Sequence, residues 1–264
     1  MKRNNLLLAV MLCIGFGVTL IINWAAVALP LFGRGTGEIS DSLPNLFVPA
    51  GITFSVWSVI YLALTVFTVY QLVVVYRSPE NPPAWWRTIA PWVLASHIAN
   101  SLWIFAWHAL LLELSVLIMV VLFVSLVRIA TALQWSDRIL LPAQFWAVSL
   151  PFSLYVGWIT VALPANITGL LVSWDITDLA PGPMFWAALL ACAAAGLAVI
   201  MIQRHGDAAY ALVISWALLG IALARISTEE WLSGWAAGLS ALVCIAALLE
   251  IITRVKLHMV KSKP

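Results

Sequence analysis

Charge is the scarcest property of this chain. Only 9% of its residues are Asp, Glu, Lys or Arg while 64% are hydrophobic, against about 25% charged and roughly 45 to 50% apolar in soluble globular domains. That deficit excludes a water-soluble globule. A formal net charge of +2 with no basic stripe leaves nothing to hold nucleic acid. Cysteine is also sparse, and Cys13, Cys192 and Cys244 each lie inside an apolar run. They read as small packing residues, not as a disulfide framework or metal site. The HExxH, phosphate-loop and nucleophile-elbow motifs are missing, so the sequence gives no support to an enzyme. His97 and His108 stand about 16 Å apart along one helix, too far to share a metal. No metal or other cofactor is expected. No internal repeat marks the paired halves of a secondary transporter.

What the chain has in abundance is long apolar runs. Each is about 20 residues, enough to cross a hydrocarbon core of about 30 Å as a helix. The expected fold is all-α, a polytopic transmembrane helix bundle of eight spans. These run from Leu6 to Leu31, Pro49 to Tyr76, Pro91 to Leu112, Leu114 to Leu133, Ile139 to Leu163, Phe185 to Gln203, Ala208 to Ile226 and Trp231 to Val255. The first resembles a signal peptide, but it is about twice as long as a usual signal core and reads as a retained span. Only Glu113 separates the third span from the fourth.

With the N-terminus cytoplasmic, every Lys and Arg falls inside except Arg34 and Arg225. This bias sets both termini in the cytoplasm and suits a bacterial inner membrane. Two longer loops then face outward. The first, Phe32 to Val48, carries GRGTGEISDSLPN, which favours turns over a helix. The second runs from Pro164 to Pro183. Loops of this length are often lids or binding loops, the alternative being plain solvated connectors, and Glu38 and Asp41 are expected to structure the first as a lid.

Depth follows from a rise of about 1.5 Å per residue. Trp57 lies about 12 Å below the outer start of its helix, with Tyr61 one turn deeper. Asn100, Trp103 and Trp107 share one face of the third span. Tyr155 and Trp158 are expected about 5 to 12 Å below Leu163. Asn23 and Asn100 should point inward, because an amide facing lipid leaves its hydrogen-bonding groups unsatisfied. Trp85, Trp86, Trp92, Trp135, Trp174 and Trp231 suit the interfacial belt instead. In the eighth span Gly234 and Gly238 form GxxxG, extended by Ser233, Ala237 and Ala241. Close packing is expected there, against the sixth or seventh helix or another subunit.

Three spaced matches carry a family resemblance: Pro49, Trp57 and Tyr61 in the second span, Asn100 and Trp103 in the third, Trp158 and Asn166 at the fifth. In these the chain resembles the TspO/MBR family of tryptophan-rich sensory proteins, which includes the mitochondrial translocator protein. The resemblance implies a five-helix core over residues 1–166, followed here by an outer loop (167–184) and a three-helix extension (185–264). It implies binding of tetrapyrroles, sterols or comparable planar lipophilic molecules under a loop that closes over a pocket, and a dimer. The chain departs from the family at Pro49-Ala50-Gly51, where a pocket Trp is lost, and at Trp107 and His108, where aromatic Phe residues are usual. Pro164 disfavours helix at Leu163, placing Asn166 at a helix end or in a loop.

The reading is a membrane binding or sensory protein, with Phe54, Trp57, Tyr61, Asn100, Trp103, Trp107, Tyr155 and Trp158 lining one aromatic pocket in the outer half of the bilayer. Its partners are a lipophilic small molecule and membrane lipids, with a homodimer as the expected assembly. The rival readings are a transporter using the same cavity, bent at Pro151 and Gly157, and an intramembrane lipid-modifying enzyme with His97 or Tyr155 as proton donor.

Overall fold

A computed structural model describes residues 2–29, 31–134 and 142–261. Trp135, Arg138, Lys263 and the Ile139 start of the fifth expected span lie outside the described residues. Among the described residues there is no strand, and eight helices are long and apolar enough to cross a membrane. The spanning helices are α1 (Lys2–Ala28), α3 (Val56–Arg77), α4 (Ala84–His108), α5 (Leu112–Gln134), α7 (Leu150–Ser173), α8 (Pro183–His205), α9 (Ala208–Arg225) and α10 (Glu230–Lys261). A 3-10 turn, Gly51–Ser55, leads into α3; the one-turn α6 (Pro142–Gln144) and a π-helical stretch, Phe145–Ser149, lead into α7. The short α2 (Thr36–Asp41) lies between the first two spans. The protein is an integral membrane protein with an all-α fold.

The helices are apolar on both faces, as lipid solvation demands. In α1, Leu7, Met11, Ile14, Val18 and Ile21 are exposed at helical spacing while Ala9, Leu12, Phe16 and Thr19 are buried. Inside and outside are therefore told apart by the few polar side chains, such as the buried Thr19, Gln71 and Asn100, and not by an apolar stripe.

The chain divides into two compact units, Met1–Leu43 with Ser55–Ile159, and Pro44–Phe54 with Thr160–Pro264. In the first, α4 packs on α1 and α5, and α1 on α3. The end of α3 near Arg77 is fastened by Gln71, a fully buried amide that needs partners. Gln71 Nε2 donates to Ala9 O (3.1 Å), and its Oε1 accepts from Trp86 Nε1 (2.9 Å). Trp86 is thus fully buried inside the unit, not in the interfacial belt. Trp174 and Trp231 are exposed, at 51% and 60%. Arg128 lies over the Trp92 ring, 5.6 Å from its centroid.

In the second unit α8, α9 and α10 pack on one another. Gly206 ends α8 in the left-handed region (φ 61°), which makes possible the tight turn into α9. There Asp207 accepts from Tyr210 N (3.0 Å). Ser215 and Ser240 exchange hydrogen bonds with each other's carbonyls at 2.9 and 2.8 Å, and Ser233 Oγ donates to Ala222 O. These bonds turn Ser233, Ala236, Ser240, Val243 and Ala247 inward. Gly234 and Gly238 consequently face away: a Cβ added at either would meet nothing within 4 Å. The expected internal packing on the GxxxG face is overturned.

Three other expectations change. The first outer loop is not all turn, because Glu38 Oε2 accepts from Gly35 N (2.9 Å) and caps the single helical turn and a half of α2. The third and fourth spans part at Ala109–Leu111, with Leu110 at φ 56° and Leu111 N bonded to Ala106 O; Glu113 instead sits in the first turn of α5, where the helix dipole favours a carboxylate. Pro164 does not end its helix. α7 continues through it to Ser173, carrying Asn166 buried within the helix. Proline is tolerated inside membrane helices because neighbours and local adjustments satisfy the freed backbone groups, and the apolar run beyond it has no better partner than itself. Tyr155 and Trp158 therefore lie farther from the end of their helix than counting from Leu163 implied.

Candidate ligand site

The first unit gathers its aromatics around α3, α4 and the first half of α7. Trp57 and Tyr61, one turn apart on α3, stack with ring centroids 5.2 Å apart and planes 20° from parallel. Tyr155 and Trp158, one turn apart on α7, each set an edge against Trp57, at 5.5 and 6.2 Å. Both arrangements are those the ring quadrupoles favour. Tyr155 and Trp158 are almost wholly buried, while Trp57 and Tyr61 are half-buried.

A polar chain runs beneath these rings. Thr19 Oγ1 lies 3.1 Å from Ser101 Oγ and donates to backbone oxygens of α1 and α4. Asn23 Nδ2 donates to Thr19 O (2.9 Å) and to Asn100 Oδ1 (2.8 Å), and Asn100 Nδ2 donates to Tyr155 Oη (2.7 Å). Three helices are thus joined by amides in a region where no water offers an alternative. Both asparagines point inward and bond each other. Tyr61 Oη is buried beside Asn100 yet makes no hydrogen bond of good geometry. An unmade bond at a buried hydroxyl costs about 1–3 kcal/mol.

Trp103 and Trp107 form a second stack nearer the end of α4, 5.7 Å apart and 19° from parallel. Trp107 Nε1 donates to Thr36 O (3.2 Å). His108 continues the attachment: its Nε2 lies 2.9 Å from Thr36 Oγ1 and its Nδ1 3.2 Å from Leu31 O. The loop between α1 and α3 is therefore tied down at Thr36. Glu38 acts on that loop as the cap of α2, whereas Asp41 is its exposed last residue.

Seven of the eight expected site residues belong to this unit; Phe54 belongs to the other. Five of the seven, Trp57, Tyr61, Asn100, Tyr155 and Trp158, form one contact group, and Trp103 with Trp107 form the second stack. The rings of the first group meet one another directly. A cavity of about 630 Å³ lies in the second unit and is lined by none of the eight. The roles of Thr36 and His108 had no signal in the sequence beyond the polarity of the two side chains. His97 is buried with Nε2 unpartnered, its ring 5.6 Å from Phe16. Among the described residues no group of His, Cys, Asp or Glu has the arrangement to hold a metal ion.

The TSPO-like protein family matches residues 9–250, a stretch that takes in the last three spans as well as the first five. No curated protein and no solved structure matches the chain.

Proposed function

We propose, from the premise that this chain belongs to the TSPO-like protein family, that it binds a planar lipophilic molecule of the tetrapyrrole, sterol or isoprenoid-like class at the Trp57 cluster, in a sensory or binding role. The observation that carries the reading is Tyr61: a buried hydroxyl with no hydrogen bond of good geometry, set among Trp57, Tyr155 and Asn100. A flat ligand bearing one polar edge group would bond Tyr61 Oη and lie along the aromatic faces, and the hydroxyl's unmet bond gives the site its selectivity for that group. Trp57 is the ring that unstacks from Tyr61 to admit it. Tyr155 and Trp158 stay as the fixed wall, with Asn100 held by Asn23. Trp103 and Trp107 extend the aromatic wall toward the loop fastened at Thr36, the segment that would cover the ligand. The distribution of Lys and Arg supports cytoplasmic termini in a bacterial inner membrane.

Titration of tryptophan fluorescence with porphyrin, sterol and isoprenoid panels tests the reading. Trp57→Phe, Asn100→Ala and Trp158→Phe are each expected to weaken the best ligand. Tyr61→Phe is expected to weaken it roughly tenfold, the value of one good hydrogen bond. Binding left unchanged by all four substitutions would place the ligand elsewhere.

A further inference from the structure

The 630 Å³ cavity of the second unit is an independent feature. Its walls come from Pro44–Phe47, the last turns of α7, the segment after it and the start of α8. They are mostly apolar, with Leu46, Phe47, Ile167, Leu171, Trp186 and Leu190 among the lining side chains. Two charges interrupt them, Arg225 at the end of α9 and Glu229 in the turn that follows.

Arg225 is anchored and only partly used. Its Nη2 donates to Asn45 O (3.0 Å) and Val48 O (3.4 Å), which fixes the guanidinium against the chain that forms one wall. Nε is buried without an acceptor, and Nη1 bonds nothing among the described residues. Glu229 lies close enough to interact with Arg225, yet the two do not form an ion pair. An arginine held in place beside an unpaired carboxylate, at the end of a membrane span, offers both signs of charge at the level where lipid head groups reside. The volume of about 630 Å³ accommodates roughly 20 heavy atoms at about 30 Å³ each, enough for a polar head with the first part of one alkyl chain and not for two chains.

We propose that this cavity holds a single-chain amphiphile with a zwitterionic head, its anionic group on Arg225 and its ammonium on Glu229, with the chain along Ile167, Leu171 and Leu190. A simple fatty acid meets Arg225 but is repelled by Glu229. A neutral monoacylglycerol uses neither charge.

Trp186 gives the test a local reporter. The purified full chain in detergent is titrated with lysophosphatidylethanolamine, fatty acid and monoacylglycerol, each brominated on the chain to quench tryptophan. The zwitterion is expected to quench a component of emission that Trp186→Phe removes, and to bind roughly tenfold tighter than the monoacylglycerol. Glu229→Gln, at a side chain with no bond to lose, is expected to abolish the preference for zwitterion over fatty acid. Trp57→Phe is expected to leave all of this unchanged, which separates the cavity from the aromatic cluster. Equal binding of the neutral amphiphile, quenching that persists in Trp186→Phe, or an unaltered preference in Glu229→Gln would each overturn the proposal.

Discussion

Gly220→Ala isolates one close approach in the second unit and sets two effects of opposite sign against each other. Alanine is the better helix former by about 1 kcal/mol, so propensity alone stabilises α9. Packing opposes it. A Cβ at this position would lie 2.0 Å from Thr53 Oγ1, 2.7 Å from Thr53 Cγ2 and 2.9 Å from Thr53 Cβ. Thr53 is 1% exposed and β-branched, so its side chain has no free rotamer to adopt. The Gly51–Ser55 segment must shift instead. That shift strains the bonds from Ala50 N to Gly220 O (3.0 Å) and from Trp216 Nε1 to Thr53 O (3.0 Å). Overpacking costs about 1–3 kcal/mol, and a weakened hydrogen bond adds about 0.5–1.5 kcal/mol. The net expectation is a destabilisation of about 0.5–3.5 kcal/mol. Reversible unfolding in mixed SDS and maltoside micelles, followed by far-UV circular dichroism, measures it. In a Thr53→Ala background, which deletes the two nearest atoms, the same substitution should cost at least about 1 kcal/mol less. An equal cost in both backgrounds, or a stabilised single variant, refutes the reasoning.

Other outcomes follow from the same kind of accounting. Gln71→Leu strips Trp86 Nε1 of its acceptor inside the first unit and should destabilise by about 1–3 kcal/mol in the same micelle assay. A double-mutant cycle of Asn23→Ala with Tyr155→Phe should show coupling through Asn100 of about 0.6–1.7 kcal/mol, whereas strict additivity would mean the polar chain is not a unit. Thr36→Val removes the His108 contact and should speed hydrogen exchange over residues 31–43 while leaving that of α3 unchanged.

The spans were legible because their length is set by the bilayer and their composition by lipid, neither of which depends on tertiary detail. The Trp57, Tyr61, Tyr155 and Trp158 contacts were legible for a related reason: a spacing of three or four residues fixes a helix face, and two such faces with matching aromatics had a common partner. The inward pointing of Asn23 and Asn100 followed from the cost of an amide in lipid. The failures share a different cause. Pro164 and Gly234 were read by local rules, but α7 runs on through the proline as membrane helices tolerate, and the reciprocal serine bonds turned α10 away from its glycines. Trp86 was assigned to the interface by position alone, although the buried Gln71 amide required a donor. The cavity at Arg225 has no local signature at all. Its walls come from stretches more than a hundred residues apart in the chain, each of which reads singly as an ordinary span end or loop.

The central claim is that the ligand of this protein sits among Trp57, Tyr61, Asn100, Tyr155 and Trp158. Photolabelling in native membranes measures that position directly, using a diazirine derivative of the tightest-binding porphyrin or sterol and mass-spectrometric mapping of the adducts. The account predicts labels on peptides bearing Trp57–Tyr61 and Tyr155–Trp158, competed by the unlabelled parent molecule. Labels confined to outward-facing side chains such as Leu62, Val66 and Leu117, insensitive to competition, would contradict it.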